Sequence, residues 1–510
     1  MPFLLKLKIY LHKHLILIII GIICELFYIF YFVRQFSLLQ YYHGLIDMSQ
    51  INDHSHTGFA QFLIVFSILF LLFTLAWWYV GHLNNHSTLW LILGFGAIFG
   101  LTMSFVYPAT AIDIYVYIAD SLAIVLYHGN PMITPPALVA NDPLITLAGG
   151  WTYYTAPYGP LGLVIDAIPT MIFGRNLLAT LLLMKFMFSA MLVVEAFLVY
   201  KILSHYAPKL ALAGAIFVAW NPYALFEYSS NAHNDVVMML FVLLGCLALI
   251  KNHHVLAFVL VVASVLIKYA MLPIIPLFFV YSLVHQPTHK QRLTYAFWAL
   301  SSSALLVLAL YAPFWQGIKT LDPLFFRDTL FMSSFSTMLT DISSGIVPRD
   351  QAKQIGQILF GVLYLYPLWL ATRDQAKLFK ACFIATFLFL GLAVTNVEIW
   401  YVIWPALFAL LYPRKTTQIA IIVFMYSTEL TATLYYYIWG WFGLTETNLA
   451  LVNDLAYLMV FGPPLLLLSG FAIQKLCMVF DKRYSYLAPP RIDSYQELDD
   501  NDLIKTPTPT

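Results

Sequence analysis

Asp113, Tyr117 and Asp120, in the stretch AIDIYVYIAD, stand at i, i+4 and i+7, a spacing that puts all three on one face of a helix. Ile114, Ile118, Leu122 and Val125 fall on another face, so the segment reads as an amphipathic helix lying along a membrane surface. A positioned carboxylate on such a helix can take the proton of a bound hydroxyl. The plainer alternative is that Asp113 is an N-cap, worth about 1 kcal/mol, and that Asp120 is merely solvated.

Three further groups of residues could share that chemistry. Asn231, His233, Asn234 and Asp235 mark a turn between two apolar runs. Asn234 or Asp235 would cap the following helix, while a histidine beside a carboxylate at a helix start can handle an anion or a hydroxyl. Lys268 lies inside the apolar run 255–284, where a lysine at the bilayer centre costs about 2.5 to 3.5 kcal/mol. It must face protein or water, by snorkelling to the interface or by lining an outward cavity that a broken helix opens. Glu398, Trp400, Tyr401 and Trp404 crowd a span boundary in VEIWYVIWPAL, as do the aromatics of WTYYTAPYGPL from Trp151 to Leu161. Aromatic belts occur at membrane interfaces, and aromatic loops also suit sugars and lipids.

The elements that must position these groups are membrane spans. Of 510 residues, 61% are hydrophobic and only 10% charged, against about 25% charged in soluble domains. The chain is read as a polytopic membrane protein. A net charge of +1 with scattered basic residues lacks the basic face that phosphate neutralisation requires, so nucleic acid is excluded as a partner. Cys24, Cys246, Cys382 and Cys477 are far apart with no CxxC pair, which suggests core residues and neither a disulfide framework nor a metal site. The glycines of GFGAIFG (Gly94, Gly96, Gly100) lie inside an apolar run with no preceding strand, and read as helix-packing positions.

With about 20 apolar residues per crossing, the chain is expected to be all-α, with about 13 to 14 transmembrane helices. Four regions are expected: N-terminal spans over 1–107 with the first span retained, an extracytoplasmic loop with amphipathic helices over 108–175, a transmembrane bundle over 176–480, and a disordered cytoplasmic tail over 481–510. A cytoplasmic N-terminus places the basic clusters Lys201/Lys209, Lys290/Arg292, Arg373/Lys377, Arg414/Lys415 and Lys482/Arg483 inside. The segment 107–160, which has no lysine or arginine, then lies outside, as does 315–353.

In order, Asp113 with Tyr115 and Tyr117, the turn HGNPM, the YGP of Tyr158 to Pro160, the NP of Asn221 and Pro222, HND at His233 to Asp235, the KY of Lys268 and Tyr269, and WYxxW at Trp400, Tyr401 and Trp404 resemble the GT-C integral-membrane glycosyltransferases. The likeness is greatest to the bacterial polyprenyl-phosphate-mannose-dependent mannosyltransferases and covers roughly residues 88–412. Departures are Met132 where the turn usually ends in tyrosine, Ala232 where glycine often precedes HND, and Glu398-Ile399 where proline commonly precedes WY. The first seventy residues are not accounted for. The resemblance implies a GT-C-like bundle and an inverting, metal- and cofactor-independent transfer of a hexose, mannose foremost. The donor would be a polyprenyl-phosphate-linked sugar and the acceptor a hydroxyl of a cell-envelope glycan or glycolipid. Asp113 would be the general base; Lys268, with His233 or Arg175, would stabilise the leaving phosphate. Asp120 and Asp235 would bind sugar hydroxyls or orient partners. Tyr117 and Asn234 would stand with these sugar- or acceptor-binding residues, and Tyr158, Trp400 and Tyr401 would line the pocket. A bacterial plasma membrane is the implied setting, with membrane lipids as surroundings. The competing class is a transporter or flippase of lipid-linked saccharides, which would share the intramembrane lysine and the broken helix.

Overall fold

The computed structural model describes residues 2–83, 86–322, 330–443 and 445–484. Beyond residue 484 the expected tail lies outside the described residues. The protein is an all-α polytopic membrane protein: among the described residues there is no strand, and β pairing is confined to two isolated bridges, Ser37 with Val106 and Met332 with Asn396. Nine helices there are long and apolar enough to cross a bilayer, and six shorter apolar helices of 10–17 residues lie between them. Together these make fifteen apolar helices among the described residues, beside the 13 to 14 crossings expected. At 1.5 Å per residue, the helix Ile399–Leu411 rises only about 20 Å, short of the roughly 30 Å hydrocarbon core.

The run 255–284 is broken, as the position of Lys268 suggested. One helix spans His254–Val265, the backbone of Lys268 is extended (φ −147°, ψ 127°), and a 3₁₀ turn, Tyr269–Ile274, leads into the helix Ile275–Val284. Breaking a helix within a membrane leaves carbonyls without intrahelical partners. Those of Leu266 and Ile267 are taken up by the start of the helix Pro160–Phe173: Gly159 N–H donates to Ile267 O (3.0 Å), and Leu161 and Gly162 donate to Leu266 O (2.9 and 3.3 Å). One helix's orphan donors thus meet another's orphan acceptors.

Contact this close needs glycine. A Cβ on Gly159 would lie 2.2 Å from Leu266 O, and one on Gly162 would lie 2.8 Å from Ile267 O. In GFGAIFG, Gly96 backs onto Ala219 and Gly100 onto Ser189, in keeping with a packing role, whereas Gly94 faces open space. Cys24, Cys246 and Cys382 are buried free thiols, the core role expected of them.

The expectation of a surface-lying amphipathic helix fails. The helix Asp113–Val125 is buried from Ile114 through Ala123, because the helix Pro160–Phe173 and the short helices Pro136–Val139 and Pro143–Thr146 pack around it. Beyond Asp113, its polar face meets protein. The turn before the helix Asp235–Ile250 uses Ala232 in the left-handed region (φ 58°), where a side chain is strained and glycine is favoured. A second buried lysine, Lys185, fastens this corner by donating to the carbonyls of Val106 (2.8 Å) and Ser230.

Gly159→Ala is expected to force the two helix ends apart at a cost of about 1–3 kcal/mol, read as earlier thermal unfolding in detergent. Unchanged melting would show that the contact carries no stability.

Candidate active site

Asp113 is the first residue of its helix, and the N-cap position belongs to Ile112, which makes no side-chain capping bond. The carboxylate therefore serves no cap. Its side chain, 15% exposed, opens into a cavity of about 750 Å³ that is also lined by Trp151, Tyr158, Ser333, Glu398, Trp400 and Tyr436. The Tyr158 hydroxyl donates to Asp113 Oδ1 at 3.2 Å.

A second, more apolar cavity of about 300 Å³ is lined by Lys268, Tyr269, Leu272, Phe360, Phe389, Tyr401 and Trp404. Pro157 borders both spaces. Lys268 Nζ sits 2.6 Å from Asp235 Oδ2 and faces the rings of Tyr401 (5.3 Å) and Tyr158 (5.9 Å). Asp235 is held from its other oxygen by the Trp404 indole N–H at 2.6 Å, and Tyr401 stacks on Trp404 with centroids 4.1 Å apart. Tyr158 thereby reaches the carboxylate in one cavity with its hydroxyl and the ammonium in the other with its ring face.

Behind this wall lies a layer of buried polar residues that line neither cavity. His233 is fully buried and stacked on Trp400 (3.8 Å, 17°). Its Nε2 is 3.0 Å from Glu227 Oε2 and its Nδ1 is 4.0 Å from Asp113 Oδ1. Asn234 occupies the N-cap position before Asp235, yet its side chain does not cap: Nδ2 donates to Asp166 Oδ2 at 3.0 Å, and its backbone N–H donates to the Tyr117 hydroxyl at 3.3 Å. Tyr117 packs edge-on against Tyr158.

The structure thus brings together Asp113, Tyr117, Tyr158, His233, Asn234, Asp235, Lys268, Trp400 and Tyr401. Their contacts differ from one to the next. Tyr117, Asn234 and Asp235 contact other residues of the wall, Asp235 thereby orienting Lys268, and the ring nitrogens of His233 face carboxyl groups. Asp120 is 2% exposed rather than solvated; burial, with the neighbouring Asp166, pushes its carboxyl well above the ordinary range. Arg175 is spent elsewhere, paired with Asp142 (2.6 Å) and donating to the Tyr127 hydroxyl.

Sequence reasoning missed Glu227, Asp166 and Glu429. All three are buried acids in otherwise apolar stretches, and that position was the available signal. Among the described residues no group of His, Cys, Asp and Glu has a metal-holding arrangement.

An all-α polytopic protein with a carboxylate, an ammonium and an aromatic wall at two adjoining cavities resembles a mannosyltransferase-like membrane glycosyltransferase of the GT-C kind. Residues 38–284 match the family model described as "Alpha-(1->6)-mannopyranosyltransferase, N-terminal domain". The chain is 28% identical over 165 residues to alpha-(1->6)-mannopyranosyltransferase A of Corynebacterium glutamicum, covering 32% of this chain and 33% of that one. It is 25% identical over 161 residues to the protein of the same name from Mycobacterium tuberculosis, covering 32% and 31%. The chain thus spans about a third of the length of each relative. The family match takes in Asp113, Tyr158, His233, Asp235 and Lys268, whereas Trp400, Tyr401 and Trp404 come from beyond it.

Substitutions at the Lys268–Asp235 pair and at Asp120 separate these roles. Asp235→Asn leaves the buried ammonium of Lys268 without its carboxylate and is expected to cost about 3–5 kcal/mol; the double change K268M with D235L should recover most of that stability, measured by melting. For Asp120 the sign is opposite. An acid held neutral in the fold but ionised when unfolded contributes stability below its unfolded value, near 3.8, and loses it as pH rises toward the folded one. Asp120→Asn should therefore melt no lower than the parent at neutral pH and should flatten the pH dependence; a marked drop would mean that the ionised form is needed.

Proposed function

We propose that this protein is a membrane glycosyltransferase that moves a hexose, mannose in view of its relatives' names, from a polyprenyl-phosphate-linked donor to an extracytoplasmic hydroxyl of a cell-envelope glycan or glycolipid. The observation that carries the reading is Tyr158, which joins Asp113 in the larger cavity to Lys268 in the smaller one.

The smaller cavity has an apolar lining of Leu272, Phe360, Phe389 and Ala393 with Lys268 at its edge, a surface suited to an isoprenoid chain ending in a phosphate. The larger one offers aromatic faces and polar groups, Glu398 and Ser333 among them, which suits a glycan. Trp400 adds an aromatic face to this space, a surface on which a sugar ring can stack.

In the transfer, the acceptor oxygen attacks the anomeric carbon as Asp113 Oδ1 takes its proton, and the bond to the phosphate oxygen breaks with the electron pair leaving on phosphate. A single displacement inverts the anomeric centre. Phosphate is already a good leaving group, so one carboxylate base is enough and the paired acids of glycosidases are not required. Asp235 and Trp404 fix the Lys268 ammonium, and the N–H groups that Asp235 does not use face the departing oxygens, an electrostatic role that gains strength in a site of low polarity.

Purified protein with a synthetic polyprenyl-phosphate hexose and a glycan acceptor tests this. Asp113→Asn is expected to lower transfer about 10²–10⁴-fold, the range of general base catalysis, and Lys268→Ala to lower kcat with it. Transfer by Asp113→Asn at the parental rate would remove the base assignment. Movement of lipid-linked saccharide across vesicles without any transfer would make the protein a transporter.

A further inference from the structure

His233 and Glu227 have no part in the transfer as just described, yet they form the most deliberate arrangement behind it. The histidine is fully buried, its plane fixed by stacking on Trp400, and its two ring nitrogens are aimed at two different carboxyl groups. Glu227 Oε1 accepts from Asn231 Nδ2 at 3.1 Å, and Asn231 is steadied in turn by Thr110.

The unequal distances at the ring indicate its tautomer. At 3.0 Å from Glu227 Oε2, Nε2 is placed to carry the proton toward that carboxyl oxygen. That leaves a lone pair on Nδ1, facing the lone pairs of ionised Asp113. Two acceptors pointed at each other stay apart, and the 4.0 Å separation is too long for a hydrogen bond. Once Asp113 has taken a proton it becomes a donor, and the same gap becomes one that closes.

We propose that His233, backed by Glu227, is the positioning and proton-storing residue of Asp113, a role that rests on the transfer reading above. After Asp113 Oδ1 has accepted the acceptor's proton, the O–H bond breaks and an N–H bond forms at His233 Nδ1, which restores the Asp113 carboxylate and leaves an imidazolium. The Glu227 carboxyl, 3.0 Å from Nε2, stabilises that cation. When the product leaves and the cavity fills with water, the proton returns by way of Asp113. The base is thus reset while the glycan still occupies the cavity, and the proton is kept off the phosphate-bearing side.

Glu227→Gln keeps size and shape while removing the carboxylate; His233→Asn removes the proton store. Each is measured for kcat and for both KM values, beside Asp113→Asn and the double variant, with melting in detergent as a control on folding. The expected result is a 10- to 100-fold fall in kcat for each single variant, KM within about twofold, and a double variant no worse than either single, as for residues that act as a unit. A parental kcat in Glu227→Gln, a rise in KM with kcat unchanged, or additive losses that track a falling melting temperature would each overturn the assignment while leaving the transfer reading intact. Absence of transfer by the parent protein would overturn both.

Discussion

The ion pair between Lys268 and Asp235 is the constraint on which the site depends. Taking two charges out of water costs several kcal/mol per ion even after relaxation, and that cost is met here by saturating the pair. The 2.6 Å contact between them, the Trp404 indole on the second carboxylate oxygen and the aromatic faces of Tyr158 and Tyr401 leave little of either charge uncompensated. These partners come from the broken helix, the turn at His233–Asp235, the loop before Pro160 and the segment Glu398–Trp404. One pair therefore ties together the four parts of the chain that the proposed chemistry needs.

Extended backbone at Lys268 is what lets the ammonium reach this position. A continuous helix through 254–284 would satisfy its own carbonyls and would leave Lys268 among the apolar side chains of the same run. Breaking it frees the carbonyls of Leu266 and Ile267, and the N–H groups of Gly159, Leu161 and Gly162 take them up. The same contact sets the position of Tyr158, one residue earlier, between the two cavities. Backbone satisfaction and placement of the bridging tyrosine are thus one event, and the absence of side chains at Gly159 and Gly162 allows it.

Around this centre the polar residues form two layers with different work. Asp113, Tyr158, Lys268, Trp400 and Tyr401 border the cavities. His233, Glu227, Asn234, Asp166 and Asp235 are buried behind them, where low polarity makes each contact stronger and each unpaired group more costly. Buried polar layers of this kind hold a front layer in one geometry. Ala232 adds a local strain at the same corner, since its φ of 58° suits glycine better than alanine. Lys185 and its carbonyl partners give that strained turn a rigid seat.

The sequence alone determined the class of this protein and the residues worth attention. A chain with so few charges can only bury its apolar runs in a bilayer or against one another, so the all-α polytopic fold followed from composition, and each charge left in an apolar run was conspicuous for its cost. Asp113, His233, Asp235, Lys268, Trp400 and Tyr401 were legible on those grounds and do converge. Tertiary structure decided what each one meets. Helical periodicity places Asp120 on the face of Asp113, but only the helix Pro160–Phe173 lying over it shows that Asp120 is buried there against another acid. Arg175 has the right charge for a phosphate, yet Asp142 claims it. Glu227 stands only six residues before His233, but that spacing matches no helical period, and their contact comes from the turn between them. Sequence spacing reports which side chains share a face; which groups face each other depends on contacts between distant segments, and those contacts set the charge and proton positions from which the chemistry follows.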